Sequence, residues 1–291
     1  MDGNYDAENV YLADNLTITA DIGVQKLEGA GFKILETAGK NLKEVLNMLL
    51  VSRVLPTYTK PSVEVEFSEE YKSYEVGTSI TPSFSATFED GKYLYDSSED
   101  TGVTVSSWSA VFNDQVINSS SGTFAPVIIG DNFNKKVTVT AHYTAGNIPK
   151  DNLGNVITDP DELAQCQIQS GTVFKSSGTV SSFRYMFYGS KVIPVEINNE
   201  NIRNLNRNIA SKSIFTIEVE EDSNQVIIAI PADYNLSKVA DNNAFGIDIL
   251  EKFNESVVSI QGATAGYETN YRVYVYNPST SLSANTYTLS F

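Results

Sequence analysis

At 291 residues, with 41% apolar and 19% charged side chains, the chain can bury two cores and is too apolar for a disordered polymer. Its formal charge of −16 argues against a phosphate-backbone partner, which needs clustered Lys and Arg, and disfavours an anionic membrane surface. Sixteen Tyr and fourteen Phe against one Trp, amid many Thr, Ser, Val and Ile, point to pleated sheets rather than helix bundles.

The start, "MDGNYDAENV", has no basic or apolar leader. No run of about 18 apolar residues follows, so folding in a cytosol is expected. Residues 8–36 read as short strands. The first strong signal is "GKNLKEVLNMLLVSRVLP", where Leu42, Val45, Leu46, Leu49 and Leu50 recur at helical spacing on one face. The expected helix, over 40–53, is too short to be stable alone in water, so its apolar face has to dock. Two partners fit, the chain's own sheet or other copies and neighbours, and the five residues are the candidate interface.

From 58 to 172 the pattern is that of a β-sandwich. "SVEVEF", "YEVGTSITPSFSATF", "GVTVSSWSAVF", "GTFAPVIIG", "KKVTVTAHY" and "AQCQIQ" read as strands. "EDGKYLY" reads as an Asp-Gly turn between two of them. Six or seven short strands with Trp108 in mid-domain suit an immunoglobulin-like sandwich without its disulfide, since Cys166 is the single cysteine. Cys166 is placed on the inward face of a strand. His142, the single histidine, shares strand parity with Thr138 and Thr140 and is expected to be exposed.

Residues 173–291 read as a second sandwich, with "QSGTVFKSSGT" as the connector into it. "SIFTIEVE" and "NQVIIAIPA" read as a strand pair across the turn "EDSN", and the unbroken "VIIAIP" as a central strand. Ile202, Leu205 and Ile209 mark a short helix. In "NYRVYVYNP", Arg272, Tyr274 and Tyr276 share a face and form a candidate surface row for stacking on a sugar or a protein. The expected class is therefore all-β: two sandwiches, the first immunoglobulin-like, behind an amino-terminal attachment segment (1–57) with one amphipathic helix.

Catalytic chemistry is scarce. One His and one Cys leave no nucleophile–base pair and no zinc set, and there is no phosphate-binding glycine loop. Acidic residues fall in turns such as "SSEDTG" and "VEEDSN". In "DNLGNVITDPDEL", Asp151, Asn155, Asp159 and Asp161 supply oxygen donors for calcium, but without EF-hand order they read as a polar loop. No enzyme activity, cofactor or resident metal is expected.

Several blocks carry a resemblance: "IGVQKLEGAGFKILETAGKNLKEVLNMLL", "KPSVEVE", "YEVGTSITPSFSATFEDGKYLYDSSEDTGVTVSSWS", "SFRYMFYG", "VIIAIPADYNLSKVAD" and "YRVYVYNPSTSLSANTYTLSF". Together they resemble virion structural proteins of tailed bacteriophages of gut bacteria that carry Ig-like domains. The resemblance covers nearly the whole chain in module order and brings no active-site residues. It implies a particle component assembled in the host cytoplasm, either a head fibre or capsid decoration or a tail appendage. The partners it implies are other virion proteins and further copies of the chain, a trimer among the arrangements. A host-surface glycan bound by the carboxy-terminal sandwich is the alternative.

Overall fold

The computed structural model describes residues 16–18, 33–35, 38–94 and 100–291. Most of the strands expected over 8–36 lie outside the described residues; Leu16–Ile18 and Lys33–Leu35 do pair, antiparallel. Regular structure among the described residues is mostly strand, with three α-helices: α1 (Leu42–Leu50), α2 (Pro160–Cys166) and α3 (Asn199–Arg203). An all-β class is correct.

Between residues 62 and 176 the main sheets have three and four strands. One runs in the order Ser121–Thr123, Ser83–Glu89, Ser62–Phe67; the other runs Gln115–Ile117, Val105–Phe112, Thr138–Tyr143, Gly171–Ser176. The Asp-Gly turn is present but closes no hairpin. Beyond it Lys92–Leu94 pairs with Thr57–Thr59. Gly91 sits at φ +80°, and a Cβ there would lie 2.3 Å from the Thr59 carbonyl oxygen, so only glycine lets the chain make that approach. The stretch expected as a connector is also corrected: Gly171–Ser176 is an edge strand. Val180–Phe183 then pairs in parallel with Ser73–Glu75 and antiparallel with Asn134–Lys135.

The chain condenses into two compact units, each drawn from several stretches: residues 1–64, 87–108 and 140–174 in one, and 65–86, 109–139 and 175–291 in the other. In the first, Tyr93, Val103 and Ile168 form a buried cluster flanked by Tyr58, Phe88 and Tyr143. The Tyr93 hydroxyl serves it twice, donating to the Asn147 carbonyl (2.8 Å) and accepting from the Ile168 amide (3.0 Å). Trp108 is half-buried and meets Phe88 edge-on.

In the second unit, Phe67, Phe84, Phe112, Phe124 and Phe133 form a run of ring contacts with centroids 5.3–6.3 Å apart. Its carboxy-terminal part has a five-stranded antiparallel sheet in the order Asn206–Ile209, Tyr185–Lys191, Gln225–Pro231, Glu268–Tyr276, Asn254–Gln261. A four-stranded antiparallel sheet, Phe215–Val219, Asn285–Ser290, Lys238–Asp241, Ile247–Asp248, faces it. Val226, Ile228, Ile230 and Tyr274 of the first sheet meet Ile217, Val239, Tyr287 and Leu289 of the second. The five-stranded sheet's other face buries Ile227, Ala229, Tyr271 and Val273 with Ile202 and Leu205 in and after α3.

All seven residues of Gln225–Pro231 are buried, so "VIIAIP" is central as expected. The expected hairpin with "SIFTIEVE" does not form, because Phe215–Val219 belongs to the opposite sheet and pairs with Asn285–Ser290. The turn carries the chain across the core, with Asp222 at φ +60° and the Ser223 hydroxyl donating to the Glu220 carbonyl at 2.7 Å.

Candidate assembly interface at helix α1

Helix α1 begins with a reciprocal cap. The Glu44 amide donates to Asn41 Oδ1 (2.9 Å), and the Asn41 amide donates back to Glu44 Oε2 (2.8 Å). Two of the amides that a helix start leaves without intrahelical partners are thereby satisfied. The cue "NLKE", a cap residue three places before a glutamate, was available in the sequence and marks the start at 41–42 rather than 40. The helix ends at Leu50, short of the expected 53.

The five candidate interface residues do not share one environment. Val45 is 4% exposed and Leu49 is partly buried, whereas Leu42, Leu46 and Leu50 are 41%, 44% and 63% exposed. Spacing explains the split: positions i, i+4 and i+8 make one row along the helix, and i+3 and i+7 make its neighbour. The inner row is closed off and the outer row faces solvent. Val51 and Val54 extend the exposed apolar surface past the helix end.

The chain is clamped just beyond α1. Arg53 Nε donates to Asp151 Oδ2 at 2.9 Å, and its two terminal nitrogens donate to the two oxygens of Glu162 at 2.7 and 2.8 Å. The planar guanidinium fork fits this bidentate geometry and a lysine would not. Backbone bonds complete the clamp. The Val54 amide donates to Asn152 Oδ1 (2.7 Å), the Asn152 amide to the Val54 carbonyl (3.3 Å), and Asn152 Nδ2 to the Ser52 carbonyl (3.0 Å).

Asp151 has no exposed side-chain surface. Burial alone would raise its pKa, but hydrogen bonds from the Asn155 amide, Arg53, the Asn155 side chain and the Leu153 amide outweigh that and hold it below the ordinary carboxylate range. Its calcium-ligand alternative is therefore occupied by protein donors. Asp159 is likewise engaged, accepting from the Asp161 and Glu162 amides as the cap of α2. Among the described residues no cluster of three or more His, Cys, Asp or Glu is arranged to hold a metal.

Cys166 is buried as expected but on a different element. It lies at the last position of α2, not on a strand. Pro160 behind the Asp159 cap is a helix-start signal that outweighs the six-residue alternation around the cysteine. Burial pushes its thiol pKa up, away from reactivity. His142 is exposed on Thr138–Tyr143, with Nδ1 2.8 Å from the Thr172 hydroxyl, a partner without catalytic geometry.

The Arg272–Tyr274–Tyr276 row is corrected. Tyr274 is 3% exposed inside the core between the two carboxy-terminal sheets, and its neighbours are only partly exposed. The four-stranded sheet covers this face, and the Tyr274 hydroxyl reaches Asn235 Oδ1 at 3.3 Å. Arg272 is spent on Glu255 (2.6 Å) and the Ala232 carbonyl (3.0 Å). Tyr276 packs against Phe253, centroids 5.5 Å apart.

An open polar pocket of about 430 Å³ in the second unit is lined by Asp131, Arg184, Asp233 and Glu268, among others. Arg184 pairs with Asp233 at 2.5 Å and Asp131 at 3.5 Å, so the arginine compensates two of the three carboxylates. No Ser, Cys or His lines it.

No family model, curated protein or solved structure matches this chain. The exposed row on α1, held on a stitched base, offers apolar contact and no group for bond-making chemistry.

Proposed function

We propose that the protein is a non-enzymatic structural component of a bacteriophage particle, an Ig-like head fibre, capsid decoration or tail appendage. On this reading α1 docks it to a neighbouring virion protein. The observation that carries the reading is the exposed row Leu42, Leu46 and Leu50 on a helix whose continuation is clamped by Arg53. Fully burying an exposed leucine contributes about 1.5–3 kcal/mol, and these three have about half of that still to gain, so they act as the apolar centre of a larger contact. A fixed base also spares the helix part of the ordering cost of binding.

The first sandwich supports the Ig-like part. Counted in chain order, the seven strands from Ser62 to Ser176 run first–second–fifth in one sheet and fourth–third–sixth–seventh in the other, which shares the A–B–E and C–F–G neighbours of that architecture while its fourth strand lies beside the third instead of the fifth. The sequence blocks resembling virion proteins support the phage assignment, and the acidic charge of −16 suits many copies displayed side by side.

The test is a Leu46→Asp/Leu50→Asp double variant in the phage that encodes the protein. Both side chains are exposed, so thermal unfolding of the purified variant should shift by no more than about 0.5 kcal/mol per site. Particles should nonetheless lose the protein, as measured by quantitative mass spectrometry of purified virions. A variant that enters particles at the wild-type level would end the α1 docking reading, and absence of the wild-type protein from particles would end the virion reading.

A further inference from the structure

The five-stranded sheet ends in an open edge. Its outer strand, Asn254–Gln261, is eight residues long and pairs with Glu268–Tyr276 in unbroken register without a bulge. The ladder's phase follows from its end. The Gly262 amide donates inward to the Tyr267 carbonyl at 2.8 Å, whereas the Gln261 amide points outward and donates to Asn199 Oδ1 at 2.8 Å. Antiparallel pairing alternates, so Glu255, Val257 and Ser259 turn both backbone groups outward. Among the described residues none of the three makes an outward backbone hydrogen bond.

Other edges of the carboxy-terminal sheets are short or charged. Asn206–Ile209 has four residues with Arg207, Ile247–Asp248 has two, and Phe215–Val219 carries Glu218. Such features are the usual protection against edge-to-edge pairing. Asn254–Gln261 has no Lys, Arg or Pro. Its one charge, Glu255, is neutralised by Arg272 at 2.6 Å, and Val257 is 61% exposed.

We propose that Asn254–Gln261 pairs antiparallel with the same strand of a second copy, joining two five-stranded sheets into one continuous sheet. The strand is self-complementary in the register centred on Val257. There two β-branched Val257 side chains meet across the axis, and Glu255 faces Ser259 rather than another Glu255; the Ser259 hydroxyl is donated to Glu268 at 2.7 Å, and Arg272 supplies the cation that offsets Glu255 beside it. Three outward residues per copy give about six backbone hydrogen bonds across the twofold axis. Asn199 occupies the next outward amide and ends the ladder at Ser259. This contact does not depend on the docking role of α1.

Val257→Pro is the diagnostic variant. Proline removes an amide that points away from the chain's own ladder, so it blocks pairing with another copy while the internal bonds remain. Sedimentation velocity of the full chain should give a dimer for wild type and for Leu46→Asp/Leu50→Asp, and a monomer for Val257→Pro, with far-ultraviolet circular dichroism unchanged. If Val257→Pro disturbs the fold, Val257→Lys, which places two lysines face to face at the axis, decides in its place. A wild type that stays monomeric at its highest soluble concentration overturns the proposal. So does a dimer that survives the Val257 substitutions, or one that dissolves only with the α1 variant.

Discussion

Helix α1 and the strand Gln225–Pro231 both carry a run of apolar residues, and they end in opposite situations. The strand is sealed on both sides, by Tyr274, Ile217 and Leu289 on one face and by Phe187 and Ile202 on the other. The helix buries Val45 and leaves Leu42, Leu46 and Leu50 in solvent. Apolar periodicity thus shows what must be covered and on which face, but not what does the covering. Where the chain covers the face itself the residues serve stability; where it leaves a row open they are available for assembly.

The contrast can be broken from the core side first. Ile228→Ala would leave a cavity between two packed sheets and should destabilise the protein by about 2–5 kcal/mol in urea unfolding. A loss under about 1 kcal/mol would mean that the core collapses around the gap and that the strand is less central than its burial implies.

The clamp comes next. Arg53→Ala removes a charged donor from a carboxylate with no exposed surface and should cost about 1–3 kcal/mol, with faster amide exchange across 38–54. The sign of its pH dependence is fixed. Asp151 is depressed in the folded state, so its contribution is present above the ordinary value of 3.8 and disappears as pH falls through the folded-state pKa. The wild-type advantage over Arg53→Ala should shrink below about pH 3.8, and an advantage that grows there would contradict the assignment.

The smallest effect belongs to the helix cap. Asn41→Ala should cost about 0.5–2 kcal/mol, confined to α1 and visible as local exchange rather than a shift in global unfolding. Together with the unperturbed stability expected of the α1 surface variant, it grades the molecule from sealed core to open helix.

How much was legible follows from the same physics. "SVEVEF" and "VIIAIP" declared strands because alternation or a continuous apolar run of that length has few other uses. The helix declared itself by spacing, and its cap was legible in "NLKE". The partition of its stripe was not, since two adjacent rows of one helix face look alike until something covers one of them. The tyrosine row misled for a related reason. Tyrosine reads as a surface residue by its hydroxyl, yet Tyr274 keeps that group hydrogen-bonded inside a core. The Asp-Gly turn and "EDSN" were turns, but which strand follows into which sheet is decided by packing far along the chain.

The parallel pairing of Ser73–Glu75 with Val180–Phe183 bears on how the protein is made. The hydroxyls of Ser73 and Ser181 meet at 2.6 Å although 108 positions separate them in the chain. At about 5–20 residues per second of translation, the earlier strand waits on the ribosome for roughly 5–20 s before its partner is synthesised. The loop closed by that contact must be ordered before the contact is gained, which slows folding whatever the local strand preferences. Each nascent chain therefore carries an unpaired strand while 108 of its 291 residues are added. The acidic balance of the sequence, −16 in all, makes such half-made chains repel one another before any specific pairing is available.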